Sequence, residues 1–481
     1  MADAGKTTDL PVISLFSGAM GLDLGLERAG FRVAVALECN PFAVATIRAN
    51  RPELPLIDRP IEQVTTDEIL EVAGLRPSDP VVVAGGPSCQ VFSTAGSRGS
   101  LGDPRGELFE HFVRVVRESQ PRFFVMENVR GLLSAAARHR PLNKRGPGHP
   151  PLEPDEELGS AFQVVAEHLR GLGYYTVFDV LNSADFGTPQ TRQRLLLLGS
   201  RDGEALRMPT PTHARDGEGG RTPWRTLRDA AGDLTEAEPE FYTFCPAKEK
   251  FLKQVPEGGN WRDLPEEVRK EALGRAFDSW GGRSGFFRRL AWDRPSPALT
   301  TRPDSKATSL CHPTELRPLS VREYARVQEF PDHWTFAGPV RKKYEQVGNA
   351  VPLSLGEAAG RALRSVMAMP SVAGRLGHVE CFNLDLLTKL MKRPKTIVNP
   401  PRMRNDTETA TIGNWYEGPG RMRRDALDYA APEVAAELRA RVRLRADAAP
   451  ADLFEETTSG DGESAGGDWA AEGEVRLAAA E

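Results

Sequence analysis

Residues 12–25 read VISLFSGAMGLDLG. The first five, VISLF, form a continuous apolar run too short for a helix, and β-branched Val12 and Ile13 favour an extended strand. The run ends in a turn carrying Gly18 and Gly21, and GLDLGLERAG then has the spacing of a helix. A second apolar run, VAVALE at 33–38, closes on Glu38, seventeen residues after Gly21. Strand, glycine turn, helix, strand and acid together form half of a site for a nucleoside-bearing ligand. The glycines let backbone approach the ligand, and a carboxylate ending the second strand can accept hydrogen bonds from ribose hydroxyls. A tight turn in any α/β protein would use the same residues.

The alternation continues through the first 200 residues. VVVAGG (81–86) reads as a strand closed by glycines and Pro87. HFVRVVRESQ (111–120) and AFQVVAEHLRGLG (161–173) read as amphipathic helices, and FFVMEN (123–128), YYTVFDVLN (174–182) and RLLLLGS (194–200) as strands. Near-continuous apolar strands alternating with helices predict an α/β fold. Its sheet is doubly wound and mostly parallel, covered on both faces, with ligands at the C-terminal strand ends. Periodicity lapses over 201–287, which is rich in Arg, Gly, Pro and Trp and is read as a smaller irregular domain. Residues 288–370 return to the first domain, with helical patterning over 319–361. Residues 371–446, with fourteen basic and nine acidic side chains, form an extension of unassigned role. Residues 447–481 form an acidic Ala/Gly-rich tail expected to be disordered.

The composition, 40% hydrophobic and 27% charged over 481 residues, is that of an ordinary globular protein. No apolar run reaches membrane-spanning length and MADAGKTTDL has no signal core, so a cytoplasmic location is expected. Five scattered cysteines without C-x-x-C spacing predict neither a disulfide framework nor a metal site. The net charge is −5, but the tail alone carries −9, which leaves +4 on the body. Charge therefore does not exclude a nucleic-acid partner.

Three further segments fall where such a sheet places its chemistry. GGPSCQVFS (85–93) puts Cys89 just past a strand end, as a nucleophile or as a buried thiol. The Gly/Ser-rich TAGSRGSLGDPRG that follows reads as a loop able to close over a substrate. MENVRGLL (126–133) ends a strand on Glu127 and Asn128: a poorly solvated acid that can hold a proton, beside a residue that could also cap a helix. TPQTRQR (188–194) alternates Arg192 and Arg194 on one face of an extended segment. They could clamp a carboxylate, phosphate or carbonyl oxygen, or be the solvated face of an edge strand.

In this order and spacing the segments resemble the bacterial DNA (cytosine-5) methyltransferases of the restriction–modification type. FSGAMGL resembles the cofactor motif, GGPSCQ the proline–cysteine motif, ENV the acid motif and QTRQR the Gln-x-Arg-x-Arg motif. LRPLSVREYARVQEFPD (316–332) and YEQVGNAVP (344–352) resemble the two closing motifs, and the match covers roughly residues 12–365. The resemblance implies a Rossmann-like fold using S-adenosyl-L-methionine to methylate carbon 5 of a cytosine in double-stranded DNA. The base would be flipped and held through a covalent adduct from Cys89 to carbon 6. It implies Cys89, Glu127, Arg192 and Arg194 as catalytic residues, and Phe16, Gly18, Gly21, Glu38, Pro87, Leu108 and Asn349 as cofactor contacts. The 201–287 region becomes the target-recognition domain, with Ser93, Gln190, Arg283, Arg288 and Arg289 as expected DNA contacts. No metal is expected. The expected state is a bacterial monomer whose restriction endonuclease is a genetic and not a physical partner.

The sequence departs from the family at Met20, where a Gly is common, and at Ser88, where Pro is usual. Pro60 stands where an Asp meets the adenine, with Asp58 two residues earlier, which leaves that contact open. Two other readings share these motifs: a transfer-RNA cytosine-5 methyltransferase with a different recognition region, and a non-catalytic DNA-binding regulator. Intact Cys89, Glu127, Arg192 and Arg194 argue against the regulator.

Overall fold

The computed structural model describes residues 9–87, 108–141, 144–145, 148–277 and 285–367, with the backbone of 379–381. The first part of the chain forms strands β1 (Pro11–Leu15), β2 (Arg32–Leu37), β3 (Leu56–Ile57), β4 (Val82–Gly85), β5 (Phe123–Val129), β6 (Tyr175–Asn182), β7 (Gln190–Thr191) and β8 (Gln193–Ser200). Helices α1 (Gly21–Arg28), α2 (Pro41–Asn50), α3 (Thr66–Ala73), α4 (Leu108–Ser119) and α5 (Ser160–Gly171) lie between them. Strands β9 (His213–Ala214), β10 (Thr222–Pro223), β11 (Ser296–Pro297) and β12 (Val379–Cys381) are short. The later helices are α6 (Leu227–Ala231), α7 (Pro246–Leu252), α8 (Glu266–Leu273), α9 (Val321–Val327), α10 (Val340–Asn349) and α11 (Leu353–Val366).

The main sheet has the order β12-β6-β8-β5-β4-β1-β2-β3. It is parallel except at β8, which runs antiparallel to both β5 and β6. The expected alternation holds wherever a helix carries the chain back. Between β6 and β8 there is only a short 3-10 turn (Ser183–Phe186) and β7, so the next strand runs the other way. The chain builds outward from β1 through β2 to β3, then returns to lay β4 on the other side of β1. The reversal opens a crevice above the C-terminal ends of β1 and β4.

The sheet interior is apolar throughout. Val12, Val82, Phe123, Val125, Leu196 and Leu198 are fully buried on one face with Leu26 of α1 and Leu355 and Leu363 of α11. Each such side chain contributes about 1.5–3 kcal/mol of burial. Helices α1 and α11 touch backbone to backbone. A Cβ on Gly25 would stand 2.4 Å from the Leu353 carbonyl oxygen, and one on Gly356 2.7 Å from that of Leu22.

On the other side, Met20, Ile47, Leu299, Leu319, Tyr324, Phe330, Tyr344 and Val347 form a second cluster, which Leu227, Ala230 and Ala231 of α6 join. A third, smaller cluster gathers Phe244, Phe251, Leu252, Val255, Trp261, Leu264, Leu273, Phe287 and Cys311 around α7 and α8. The irregular segment thus builds its own core, which runs past residue 287 to Cys311. Among the described residues no helix is long and apolar enough to cross a membrane.

Candidate active site

The turn after β1 is tightly wound. Phe16 and Met20 both adopt left-handed backbone, with φ of 56° and 68°, and so does Gly18 at 54°. Left-handed backbone at Met20 accounts for the glycine common there in the resembled family, because a side chain at this φ is strained. Burial of the Met20 side chain in the second cluster offsets that strain. Gly21 starts α1 where no side chain fits, since a Cβ there would lie 2.2 Å from the Val351 carbonyl oxygen.

Glu38, at the end of β2, fixes this turn. One carboxylate oxygen accepts from the Gly18 N–H at 2.7 Å and the other from the Asn40 N–H at 2.8 Å. A carboxylate oxygen has room for a second hydrogen bond, so both can still serve an incoming hydroxyl. Next to Gly18 there is open space: a Cβ built on it meets nothing within 4 Å. The residues therefore fit the ribose end of an adenosyl group. Half-buried Phe16 and Leu108, buried Pro87 and exposed Asn349 are the other expected cofactor contacts. Asn349 ends α10, and Leu108 starts α4.

Below the turn lies a carboxyl that sequence reading passed over. Asp23, in the first turn of α1, is 1% exposed, and one of its oxygens has no hydrogen-bond partner. Burial pushes its pKa up to about 7, against the opposing effect of a hydrogen bond with Ser14. Ser14 in turn shares a 2.7 Å hydrogen bond with Ser17 of the turn.

On the β4–β5 side, Glu127 near the end of β5 is buried. Its Oε1 meets the Arg194 Nε at 2.6 Å. The strand register produces this pair: Arg194 of β8 lies opposite Val129, two residues beyond Glu127 on the same face. Glu127 Oε2 faces the backbone of Gly86, 3.0 Å from where a Cβ would stand. Burial raises the Glu127 pKa, opposed by the charges of Arg194 and Arg192. Asn128 donates to the Pro87 carbonyl at 3.4 Å, so the acid strand braces the loop that leads to Cys89. Cys89, Ser93 and Arg283 lie outside the described residues. Among the described residues no group of three or more His, Cys, Asp or Glu gathers as a metal site would require.

Three expected contacts have other work. The Arg192 guanidinium, 2% exposed, donates to the carbonyls of Leu299 at 3.0 Å and Gly348 at 2.7 Å. Its charge also acts on Glu127. Gln190, expected at DNA, is fully buried and spends its amide on Gln328 and the Leu299 N–H. Arg289, also expected at DNA, is buried and donates to the carbonyls of Leu252, Val255, His312 and Glu315. Carbonyls at the end of α7 need donors, and a buried guanidinium supplies them. In this structure Gln190 and Arg289 thus spend their polar groups on the protein's own framework. Half-buried Arg288 is the member of the Arg288–Arg289 pair left nearer the surface, and burial lowers its pKa.

Comparison with known proteins agrees with this architecture. The family model for C-5 cytosine-specific DNA methylases matches residues 10–365. The chain is 37% identical to type II methyltransferase M.Eco47II of Escherichia coli over 73% of its length and 78% of the relative. It is 34% identical to M.Sau96I of Staphylococcus aureus, over 76% and 77% respectively. Among solved structures, the Entamoeba histolytica methyltransferase EhMeth superposes with a TM-score of 0.50 at 14% identity, covering 74% of this chain and 98% of that one. The chain belongs to the C-5 cytosine-specific DNA methylases, and it is a DNA (cytosine-5)-methyltransferase.

Proposed function

We propose that this enzyme methylates carbon 5 of one cytosine within a specific duplex DNA sequence, as the modification enzyme of a type II restriction–modification system. It works as a cytoplasmic monomer, with S-adenosylmethionine held over Gly18 and Glu38. The observation that carries this reading is Glu127: a buried carboxyl at a strand end, oriented by Arg194 and facing the backbone of the loop that leads to Cys89.

Bound there, S-adenosylmethionine supplies the methyl group that carbon 5 accepts. The protein's part is to make carbon 5 a nucleophile. The Cys89 thiolate forms a bond to carbon 6 of the flipped cytosine. The displaced electron pair is accommodated toward N3, where Glu127 delivers a proton. Burial favours the protonated form of Glu127, and Arg194 occupies one carboxyl oxygen, which leaves the other to carry the proton. After methylation a base takes the proton from carbon 5, the carbon 6–sulfur bond breaks to restore the thiolate, and N3 returns its proton to the Glu127 carboxylate. The 201–287 region, with the cluster running on to Cys311, reads the sequence, and Ser93, Arg283 and Arg288 supply DNA contacts.

Expression in a methylation-free bacterial host, followed by bisulfite sequencing, tests the reading. Protected cytosines in one short repeated context support it. Unprotected DNA with soluble protein present overturns it, and methylated transfer RNA in the same cells would assign an RNA substrate instead.

A further inference from the structure

Two glutamines form a buried polar bridge that the reaction chemistry does not use. Gln328, at the C-terminal end of α9, is fully buried. Its Nε2 donates to the Val347 carbonyl at 2.9 Å and the Ala350 carbonyl at 2.7 Å. Its Oε1 accepts from Gln190 Nε2 at 2.6 Å, and Gln190 Oε1 accepts from the Leu299 N–H at 2.9 Å. Both primary amides therefore bridge separate chain segments in a dry environment, where an unmade hydrogen bond is costly. The carbonyls that Gln328 holds flank exposed Asn349 on both sides. The segment that begins at Gln190 runs through β7 and Arg192, which pins Gly348, into β8, where Arg194 meets Glu127. Cofactor-side turn and base-side segment are tied together through the Gln328–Gln190 amide pair and, beside it, through Arg192.

We propose that Gln328 is a positioning residue that couples the two halves of the site, so that occupancy of the cofactor side tightens the hold on DNA and the reverse. The inference rests on the function proposed above. A ligand that settles the 347–350 turn settles, through Gln328 and Gln190, the strand carrying Arg194. Such coupling is reciprocal by linkage.

The test measures duplex affinity with and without S-adenosylhomocysteine, using DNA that carries the sequence mapped by bisulfite. In the wild type the ratio of the two affinities is expected to be about 5–150-fold. Gln328→Met keeps the volume and removes all three hydrogen bonds. It is expected to leave the duplex affinity without S-adenosylhomocysteine within about threefold and to cut the ratio at least about fivefold. Gln190→Met is expected to cut it by less, and the double variant to do no more than Gln328→Met. A merely structural role would lower the unfolding temperature and leave the ratio unchanged. An unchanged ratio in folded Gln328→Met, or in Gln190→Met should the first not fold, overturns the proposal, as does a wild-type ratio of one. If the wild type methylates no DNA, the functional reading falls and this inference with it. If it does and the variants keep the ratio, only this inference falls.

Discussion

Arg194 and Glu127 meet at 2.6 Å across two antiparallel strands, one rank off the direct pairing, with both side chains largely buried. A pair in this setting does two things: it orients the carboxyl, and it lowers the pKa that burial has raised. Glu127→Gln keeps the shape and removes the transferable proton. It should slow methyl transfer by about 10²–10⁴-fold with little change in cofactor affinity, as read by single-turnover kinetics. Removing Arg194 takes away a lowering influence, so Arg194→Met should move the high-pH fall of the rate to still higher pH. A fall at the wild-type position would show that Glu127 is not the proton donor.

Asp23 gives the fold a pH dependence. Its folded-state pKa of about 7 stands above the carboxylate's ordinary value, so between roughly pH 4 and 7 the folded protein binds a proton that the unfolded chain has released. Stability should fall as pH rises through that window and then level off, and Glu127 adds in the same direction. Asp23→Asn should flatten the dependence, raising the unfolding temperature at pH 8 by several degrees and hardly changing it at pH 4. Equal slopes in the two proteins would refute the assignment.

Gly21→Ala places a methyl where the Val351 carbonyl already stands. Backbone has to move, at a cost of about 1–3 kcal/mol. Calorimetric titration should then find cofactor affinity down at least about tenfold, roughly 1.4 kcal/mol.

Glu38→Ala releases the amides of Gly18 and Asn40 together. The KM for S-adenosylmethionine should rise about tenfold or more while kcat at saturation stays near wild type, the signature of lost uniform binding. A fall in kcat alone would place Glu38 elsewhere in the mechanism.

Neighbouring arginines should part company. Arg289→Met strips the donor from the backbone carbonyls it holds in the interior and should cost about 3 kcal/mol or more in thermal or urea unfolding. Arg288→Met should leave unfolding nearly unchanged and weaken DNA binding, with a shallower salt dependence. The opposite pattern would reverse the two roles.

Much of this was legible in the sequence. VISLF, VAVALE, VVVAGG and FFVMEN are strands because they are short and mostly apolar, and the glycines and acids at their ends mark the crevice. Antiparallel β8 was not legible, because RLLLLGS is as apolar as a parallel strand and direction lies in the connection that precedes it. The fates of Gln190, Arg192 and Arg289 were not legible either. A motif names the residue type, whereas burial and partner come from other segments, more than a hundred positions away for Gln190 and Arg192 and 23–37 away for Arg289. Gln328 did leave a signal: it continues the stripe of Val321, Tyr324 and Ala325 at helical spacing, and a glutamine on a buried stripe needs partners.

The seam between α1 and α11 joins glycines more than three hundred residues apart. A ribosome makes Gly21 and Gly25 early, and Leu22 and Leu26 with them, long before Val351, Leu353 and Gly356 exist to cover that face. The whole 201–287 region is synthesised in the interval. The newborn α1 must wait, exposed or shielded by chaperones, until α11 arrives. Synthesis through α11 is therefore what closes the floor beneath the Gly18 turn, and a chain terminated before residue 353 lacks that wall.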